Sequence, residues 1–279
     1  MGVISIEAAK CTRCGICAET CGQHIFLVRS EEVKTRREET CIFCGQCVAV
    51  CPQDAIRHAG LNIRDFLPVR EDMNVSPEQI SHFLRSRRSV RTFDSREVPR
   101  EMLERLVDIG RYAPTGTNIQ DVEFIVIQHA DQIANLSRMA GMFYGRYLRK
   151  LEELKDPVPY HIARRMDAFR LYYQYALEGK DRVFRGGQAA ILVHGPEANA
   201  VAPDNCHYAL SYIILMAHSM GLGTCLLRTF VMAAEQDPEI QKEIRLPNGH
   251  KLFGCASVGF PKYKFYKIPA RMEPKVQWI

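Results

Sequence analysis

The sequence predicts an α+β fold, because helix-like and strand-like segments follow one another without the regular βαβ alternation of a parallel sheet. Apolar residues recur at helical spacing in segments such as 100–110, whereas 122–128 and 189–194 are short apolar runs typical of strands. The chain has 279 residues and 47% hydrophobic residues, which suffices for two domains with proper cores.

The helices and strands of the predicted α+β fold lie mainly in the C-terminal part of the chain. Ser76, followed by Pro77 and by Gln79 at the third position after the cap, predicts a helix that runs to about Arg85. Residues 100–110 predict a second helix. Residues 204–220 predict a long helix that is apolar on most sides, which favours deep burial or an oligomer interface. Strands are predicted at 122–128, 189–194 and 252–260. Residues 131–188, rich in Tyr, Arg and Phe, are expected to be helical and to form a lid or insertion.

The N-terminal part contains an internal repeat with an offset of thirty residues. Gly15 reappears as Gly45 and Gln23 as Gln53. The segments 24–29 and 31–37 between the halves predict a short hairpin. A duplicated half-domain explains this pattern better than chance does. The repeat is built on eight cysteines, in which Cys11, Cys14, Cys17 and Cys21 reappear as Cys41, Cys44, Cys47 and Cys51.

The cysteine spacing in each half is C-x₂-C-x₂-C-x₃-C, which predicts two [4Fe–4S] clusters. Three thiolates two residues apart can surround one face of a cubic cluster, and the fourth cysteine then completes the cluster of the other half. The predicted ligand sets are Cys11, Cys14, Cys17 and Cys51 for one cluster, and Cys41, Cys44, Cys47 and Cys21 for the other. Structural zinc and disulfides are the alternatives. Zinc prefers paired CxxC units separated by a longer gap, and neither alternative matches two equal runs of four.

On these motifs, the N-terminal fifth of the chain resembles bacterial-type two-cluster ferredoxin domains. One departure is Gly22, which follows Cys21 where such domains usually have Pro. We therefore expect a two-cluster domain at residues 1–60, a connector at 61–76 and a second domain at 77–279. The remaining cysteines lie in apolar elements and are expected to be buried structural thiols. They are Cys206, Cys225 and Cys255.

Charge and hydropathy narrow the classes of function. Lys and Arg exceed Asp and Glu by five, but two cluster-bound thiolate sets would lower the net charge to about +1. Charge therefore gives no support for nucleic-acid binding. The longest strongly apolar run, 212–217, is too short to cross a bilayer, and the first ten residues have no apolar signal core. We expect a cytoplasmic protein with no membrane partner.

Four further elements of the C-terminal part carry groups that could bind a phosphate and a planar heterocycle. Residues 85–93 contain four arginines with interleaved serines, which by themselves fit either a solvated basic loop or a donor array suited to a phosphate and to sugar hydroxyls. Residues 112–120 follow a helix and carry small polar groups that could bind a planar heterocycle. Residues 221–228 form a helix-to-strand turn lined by apolar residues, with one arginine. The fourth element is the basic tail.

In this order, the four elements resemble the nitroreductase family of FMN enzymes over about residues 77–279. The resemblance implies an FMN-dependent oxidoreductase with an α+β fold, working as a homodimer with an FMN at each of two sites along the interface. It implies that the FMN phosphate and ribityl chain are held by Arg87, Arg88, Ser89 and Arg91, with Lys267 or Arg271 closing on the phosphate. The residues implied to reach the flavin from the partner subunit are Pro114, Thr115, Gly116, Thr117, Asn118 and Gln120.

The resemblance also implies that Leu226 and Leu227 pack near the isoalloxazine, with a backbone amide near N5. The chain departs from the family pattern at two positions. Asp121 replaces the usual Pro, and Arg228 lies beside the flavin where many members have Glu or Gly. A cation at that position favours an anionic reduced flavin or an acidic substrate. In this family the flavin does the chemistry, so no catalytic acid or base is assigned.

The functional hypothesis combines the two domains. Each cluster carries one electron, and FMN accepts one or two, so the clusters would deliver single electrons to FMN. FMN would reduce a nitroaromatic, a quinone or a similar conjugated acceptor, and an external low-potential donor would supply the electrons. In the reverse alternative, FMN oxidises NAD(P)H or a substrate and the clusters export electrons. In the third alternative, the chain is a non-catalytic electron carrier.

Overall fold

The computed structural model describes residues 2–153 and 157–279 of the chain and divides them into two compact units. The N-terminal unit comprises Met1–Val75 together with Gly116–Ile119. The C-terminal unit comprises Ser76–Thr115 and Gln120–Ile279. The short segment 116–119 thus belongs to the compact unit of the cysteine repeat, although it lies far from the repeat in sequence.

The N-terminal unit consists of two short half-domains. Its elements are β1 (Ile4–Ile6), α1 (Ile16–Thr20), β2 (Phe26–Val28), β3 (Val33–Thr35), α2 (Gln46–Ala49) and β4 (Ile56–His58). Strand β1 pairs antiparallel with β4, and β2 pairs antiparallel with β3, which confirms the predicted hairpin. Gly15 and Gly45 precede α1 and α2 with φ values of 82° and 71°, so this left-handed turn explains why glycine recurs in both halves.

The C-terminal unit contains the longer helices and a four-stranded sheet. Its elements in chain order are α3 (Pro77–Ser86), α4 (Arg100–Gly110), β5 (Glu123–Ile127), α5 (Ala130–Glu152), α6 (Tyr160–Ala163), α7 (Met166–Leu177), β6 (Ala189–Pro196), α8 (Ala202–Ser219), β7 (Gly223–Leu226), α9 (Arg228–Gln236), α10 (Pro238–Glu243) and β8 (His250–Gly259). The predicted strands and the helices at 77–85, 100–110 and 204–220 are confirmed, with ends shifted by a few residues.

The sheet has the strand order β5-β6-β8-β7, and every neighbouring pair is antiparallel. Helices cover both faces, as the central strand β6 shows. Alternate residues of β6 enter two different clusters: Ala190 and Leu192 pack with α5, α7 and α9, whereas Ile191 and Val193 pack with α4 and α8. This mixture of helices around an antiparallel sheet confirms the α+β class.

Helix α3 begins with the predicted capping box. The Ser76 side chain accepts a hydrogen bond from the Gln79 backbone N–H at 3.2 Å, and Gln79 Oε1 accepts one from the Ser76 N–H at 2.9 Å. Pro77 occupies the first helical position, where its missing N–H costs nothing. The helix ends at Ser86, so Arg87 and the residues after it leave its C-terminal end.

The region predicted as a lid or insertion is helical, but its long helices belong to the core. The ring of Tyr144 in α5 stacks on Phe169 in α7 with centroids 4.5 Å apart, and both side chains are buried. The Tyr144 hydroxyl donates to the Thr229 carbonyl at 2.7 Å. The expectation of a covering lid is therefore wrong for α5 and α7, because their aromatic residues fill the interior. Residues 154–156 of this region lie outside the described residues.

Helix α8 is buried on one face, as its composition favours, and exposes the other face within the single chain. Ala209 and Ile213 are fully buried against the sheet, whereas Tyr208 and Tyr212 expose 51% and 39% of their surface. Among the residues described, no helix combines the length and hydropathy needed to cross a membrane.

Candidate cluster and anion sites

The first predicted cysteine set lines one cavity of the N-terminal unit. Cys11, Cys14, Cys17 and Cys51 all contribute to its wall, together with Gly15 and several apolar residues. Burial raises the pKa of the Cys17 thiol, and the neighbouring Cys11 and Cys14 raise it further. Cysteines from both halves of the repeat thus meet, with Cys51 crossing over as the spacing predicts.

The second predicted set gathers around Cys47. Burial raises the pKa of Cys47 to about 11, and the nearby thiols of Cys44, Cys21 and Cys41 act in the same direction. Four thiolates held this close together repel one another, and a bound metal centre supplies the positive charge that compensates them. All eight cysteines of the repeat are free of disulfides. Both sets therefore fit the thiolate ligation of an iron–sulfur cluster.

Two hydrogen-bond donors point at cluster cysteines. The Ala55 N–H donates to Cys51 Sγ at 3.3 Å, and His58 Nε2 lies 3.4 Å from Cys41 Sγ. The Gly60 N–H donates to His58 Nδ1 at 3.1 Å, so Nδ1 is the acceptor nitrogen and Nε2 carries the proton. His58 is therefore a donor to Cys41. Burial lowers its pKa, which favours this neutral form.

The sequence analysis assigned no role to His58. The repeat could have drawn attention to His58, because the thirty-residue offset makes Val28 its equivalent in the first half. The two halves therefore differ at this position. Only contact with Cys41 in the structure shows what that difference means.

The C-terminal unit contains an anion-type cavity of about 420 Å³ at the end of α3. Arg87 and Arg88 line it together with Gly223 and Thr224. In the part of the chain that the structure describes, neither arginine forms an ion pair with a carboxylate. Burial lowers the pKa of Arg87, and the like charges of Arg88 and Arg271 add to the effect. Such a pair of unneutralised cations fits a phosphate group.

A close approach of two segments shapes this cavity. Ser89 forms an isolated parallel bridge with Thr224, and the Val90 N–H donates to the Thr224 carbonyl at 2.9 Å. A Cβ added at Gly223 would lie 2.6 Å from Val90, so only glycine permits the approach. Arg91 is exposed, and its guanidinium lies 3.5 Å from the Ser89 carbonyl.

Among the residues that line the cavity, Ser86 belongs to the predicted 85–93 array and Lys264 to the basic tail, whereas His218 had been given no role. His218, in the last turn of α8, lies 3.0 Å from Ser86 Oγ through Nε2, and both residues line the cavity. Burial lowers the pKa of His218, with Arg87 nearby acting in the same direction. Lys264 of the tail also lines the cavity. His218 lies on a helix otherwise predicted by apolar periodicity, so the sequence pattern does not distinguish it from a core residue.

The segment that carries the predicted flavin-contacting residues has an unusual backbone. Thr117, Asn118 and Gln120 have φ values of 51°, 54° and 52°, in the left-handed region that non-glycine residues seldom occupy. The Gln120 N–H donates to Thr115 Oγ1 at 3.1 Å. Within the N-terminal unit, Asn118 Nδ2 donates to the Ile42 carbonyl at 3.0 Å, next to Cys41. Such strain concentrates at functional segments.

The remaining predicted residues have diverse surroundings. Leu226 is exposed at the end of β7, whereas Leu227 is buried and its N–H donates to the Cys255 carbonyl at 2.8 Å. Arg228 begins α9 and forms an ion pair with Glu235 at 3.2 Å, so its charge is partly neutralised. Arg271 lines a second cavity with Arg87, and Lys267 is exposed.

The three cysteines outside the repeat are buried thiols, as predicted. Burial raises the pKa of Cys206 to about 12 and also raises that of Cys255. Protonated, enclosed thiols of this kind act as small apolar side chains.

The fold and the two sites together define the class of protein: an oxidoreductase in which an iron–sulfur module is joined to a flavin-type α+β unit. The sequence profile of the nitroreductase family matches residues 84–260, and the chain belongs to this family of FMN-dependent oxidoreductases. The profile of the 4Fe-4S dicluster domain matches residues 10–56, which confirms the resemblance of the N-terminal part to ferredoxins.

Individual relatives agree with this division. A ferredoxin from Methanothermococcus thermolithotrophicus is 36% identical over 55 residues, which are 19% of this chain and 92% of the ferredoxin. The FMN-bound nitroreductase of Bacteroides fragilis covers 71% of this chain and 99% of its own, with a TM-score of 0.56 and 18% identity. That of Desulfitobacterium hafniense covers 71% and 97%, with a TM-score of 0.54 and 19% identity. The two structural similarities show the fold of the C-terminal unit.

Proposed function

We propose that the chain is an iron–sulfur flavoprotein that passes single electrons from two [4Fe–4S] clusters to one FMN, which reduces a conjugated organic acceptor. Nitroaromatic compounds and quinones are the proposed acceptor class. The observation that carries the proposal is the coexistence of two four-thiol sets and a carboxylate-free arginine cavity in one chain.

The cluster half of the proposal rests on the thiols. Cys11, Cys14, Cys17 and Cys51 would hold one cluster, because they line one cavity. Cys41, Cys44, Cys47 and Cys21 would hold the other, because the first two and Cys21 lie close enough to Cys47 to raise its pKa. Eight exposed or half-buried thiols without disulfides also favour a reducing compartment, so we propose a cytoplasmic location.

The flavin half rests on the C-terminal unit. Bound FMN supplies both one-electron and two-electron redox chemistry. It can therefore take single electrons from the proposed clusters and give two electrons to the organic acceptor. The proposed phosphate and ribityl ligands are Arg87, Arg88, Ser89 and Arg91, with Arg271 or Lys267 closing on the phosphate. The Leu226–Arg228 turn would pack beside the ring system. The proposed contacts to the ring from the partner subunit come from Pro114, Thr115, Gly116, Thr117, Asn118 and Gln120.

A homodimer follows from the same proposal. The exposed aromatic side chains of Tyr208 and Tyr212 lie one helical turn apart on α8, a large apolar stripe for a monomer surface. The tail adds Met272 and Trp278, each 91% exposed. Burial of these surfaces against a second copy would remove them from water.

The composition of anaerobically purified protein tests the architecture. We expect about eight iron atoms, eight sulfide ions and one FMN per chain, as the proposed two clusters and one flavin require. Four iron atoms would reject the two-cluster arrangement, and bound zinc in place of iron would reject the cluster half altogether.

Anaerobic stopped-flow absorbance tests the direction of electron flow. A low-potential donor should reduce the clusters and then FMN, and a nitro compound or quinone should reoxidise the protein. Flavin reduction by NAD(P)H ahead of the clusters would instead support the reverse direction. Absence of turnover with a broad panel of acceptors would reject the reductase function and leave an electron carrier.

A further inference from the structure

Three metal-binding side chains meet at one end of the sheet in the C-terminal unit, outside the sites described above. They are Glu123 at the start of β5, His194 near the end of β6 and His250 at the start of β8. One ligand atom from each lies within 4.8 Å of the other two. Neither the nitroreductase fold nor the cluster module accounts for this group.

Strand register explains why the three side chains converge. Strands β5 and β8 both run antiparallel to β6, so their starting residues lie beside the end of β6. Glu123 is directly opposite His194, and His250 is opposite Pro196, two residues further along β6. Because side chains alternate with a period of two, all three lie on the same face of the sheet.

The geometry suits metal ligation. His194 Nδ1 lies 3.0 Å from His250 Nδ1, and one nitrogen of each histidine lies within 4.8 Å of a carboxylate oxygen of Glu123. In a tetrahedral site with metal–nitrogen bonds of about 2.0–2.1 Å, neighbouring ligand atoms are about 3.4 Å apart. The two imidazole nitrogens are already near this spacing. Glu123 is exposed, so a change of rotamer can bring its carboxylate closer.

The group offers two nitrogen ligands and one oxygen ligand. His194 is only 2% exposed, so its imidazole meets few ligands other than the neighbouring side chains. Without a metal, one of the two facing nitrogens must donate a proton to the other. With a metal, both lone pairs can point at the same ion. Two imidazoles and one carboxylate form a donor set that zinc uses with water as the fourth ligand.

We propose that Glu123, His194 and His250 bind one zinc ion, with a water molecule completing the coordination on the exposed side. The ion links the first residues of β5 and β8 to β6 and so fastens one end of the sheet. This site is structural and separate from the redox centres, and the proposal does not depend on the proposed function.

Zinc binding to the anaerobic, cluster-loaded and FMN-loaded protein tests the site. After free metal is removed, elemental mass spectrometry should find one zinc per chain. The iron content should be unchanged. Zinc-edge X-ray absorption should show nitrogen and oxygen ligands. A sulfur ligand would overturn the proposal, because it would place the zinc at the cysteines. Failure of the wild-type protein to retain zinc at micromolar concentration would also overturn it.

Variants make the assignment specific. Loss of an outer hydrogen-bond partner of a metal ligand already costs about 10–100-fold in affinity, so His250→Gln should weaken zinc binding by at least about 100-fold. Glu123→Gln should weaken it by at least about tenfold. Both positions reach solvent, which limits the risk to folding. The matched control is His207→Gln, because His207 is an exposed histidine of the same unit whose ring Nε2 lies 3.2 Å from the Phe253 carbonyl, away from the proposed ligands. Equal affinity in His250→Gln and His207→Gln would reject the site.

Discussion

The reduction potential of a cluster bound by the repeat cysteines depends on the residues that contact those cysteines. His58 is the neighbour that distinguishes the two halves of the repeat, because the equivalent residue of the first half is Val28. Its tautomer is fixed by the Gly60 N–H, so it presents a donor to Cys41 Sγ. A hydrogen bond to a cluster thiolate stabilises the reduced, more negative cluster and raises its reduction potential.

Replacement of His58 by Leu should therefore lower the reduction potential of the cluster that Cys41 is proposed to bind, one of the two proposed clusters. We expect a decrease of about 60 mV, a tenfold change in the one-electron equilibrium, while the other cluster keeps its potential. A redox titration monitored by electron paramagnetic resonance measures both. His58→Gln keeps an N–H donor and should recover most of the shift. Equal shifts in both variants would show that packing, rather than the hydrogen bond, sets the potential.

Replacement of Arg88 tests whether the arginine cavity binds the phosphate of FMN. A hydrogen bond to a charged group contributes about 1.5–3 kcal/mol, so Arg88→Ala should raise the FMN dissociation constant about 10–100-fold. Flavin fluorescence during titration of flavin-depleted protein measures the change. Arg100→Ala is the control, since Arg100 is an exposed arginine paired with Glu104 at 2.8 Å. An unchanged FMN affinity in Arg88→Ala would argue against the phosphate assignment.

Among the elements, α3 is the one that positions the arginine cavity. Its start is fixed by the capping box, and its end at Ser86 places Arg87 and Arg88 in the cavity wall. Residues 116–119 differ, because their position within the N-terminal unit depends on strained backbone at Thr117 and Asn118 and on the bond from Asn118 to Ile42. Their fixed conformation thus depends on tertiary contacts.

Loss of the α3 cap should loosen the start of this helix. Ser76→Ala removes the acceptor of the Gln79 N–H and should cost about 1 kcal/mol, which corresponds to about fivefold faster amide exchange in residues 77–86. Hydrogen–deuterium exchange of the loaded protein measures this locally. In the control Ser219→Ala, an exposed serine bonded to its own helix is removed, and α3 should exchange as in the wild type. Unchanged exchange in Ser76→Ala would show that packing alone holds the helix start.

At the scale of the whole molecule, α8 packs one face into the core and exposes two tyrosines on the other face, which form an aromatic stripe. Ile213 is buried in the cluster beneath the sheet, while Tyr208 and Tyr212 remain exposed within the single chain. A proposed homodimer would use this stripe, because aromatic residues contribute strongly when they become buried at an interface.

Tyr212→Asp should therefore weaken the dimer. A charge at the centre of an apolar interface should cost at least about 2 kcal/mol, which raises the dimer dissociation constant about 30-fold or more. Light scattering during size exclusion should give twice the 31.8 kDa chain mass for the wild type and a lower average mass for the variant. Tyr160→Asp is the control, because it places the same charge on an exposed tyrosine of α6 rather than α8. It should leave the mass measured by light scattering unchanged. A monomeric wild type would refute the dimer.

The sequence alone determined the fold class, the main helices and strands of the C-terminal unit, and the cysteine repeat. These features depend on local patterns: the capping box at Ser76, apolar periodicity in 100–110 and the glycine turns at Gly15 and Gly45. Only the tertiary structure decided that α5 and α7 belong to the core and that Arg228 is paired with Glu235. It alone brought His58 to Cys41 and gathered Glu123, His194 and His250. Arg228 and Glu235 lie two turns apart on α9, so only their side-chain geometry shows the pair. The other contacts join residues farther apart in sequence, and such contacts leave no periodic pattern in the chain.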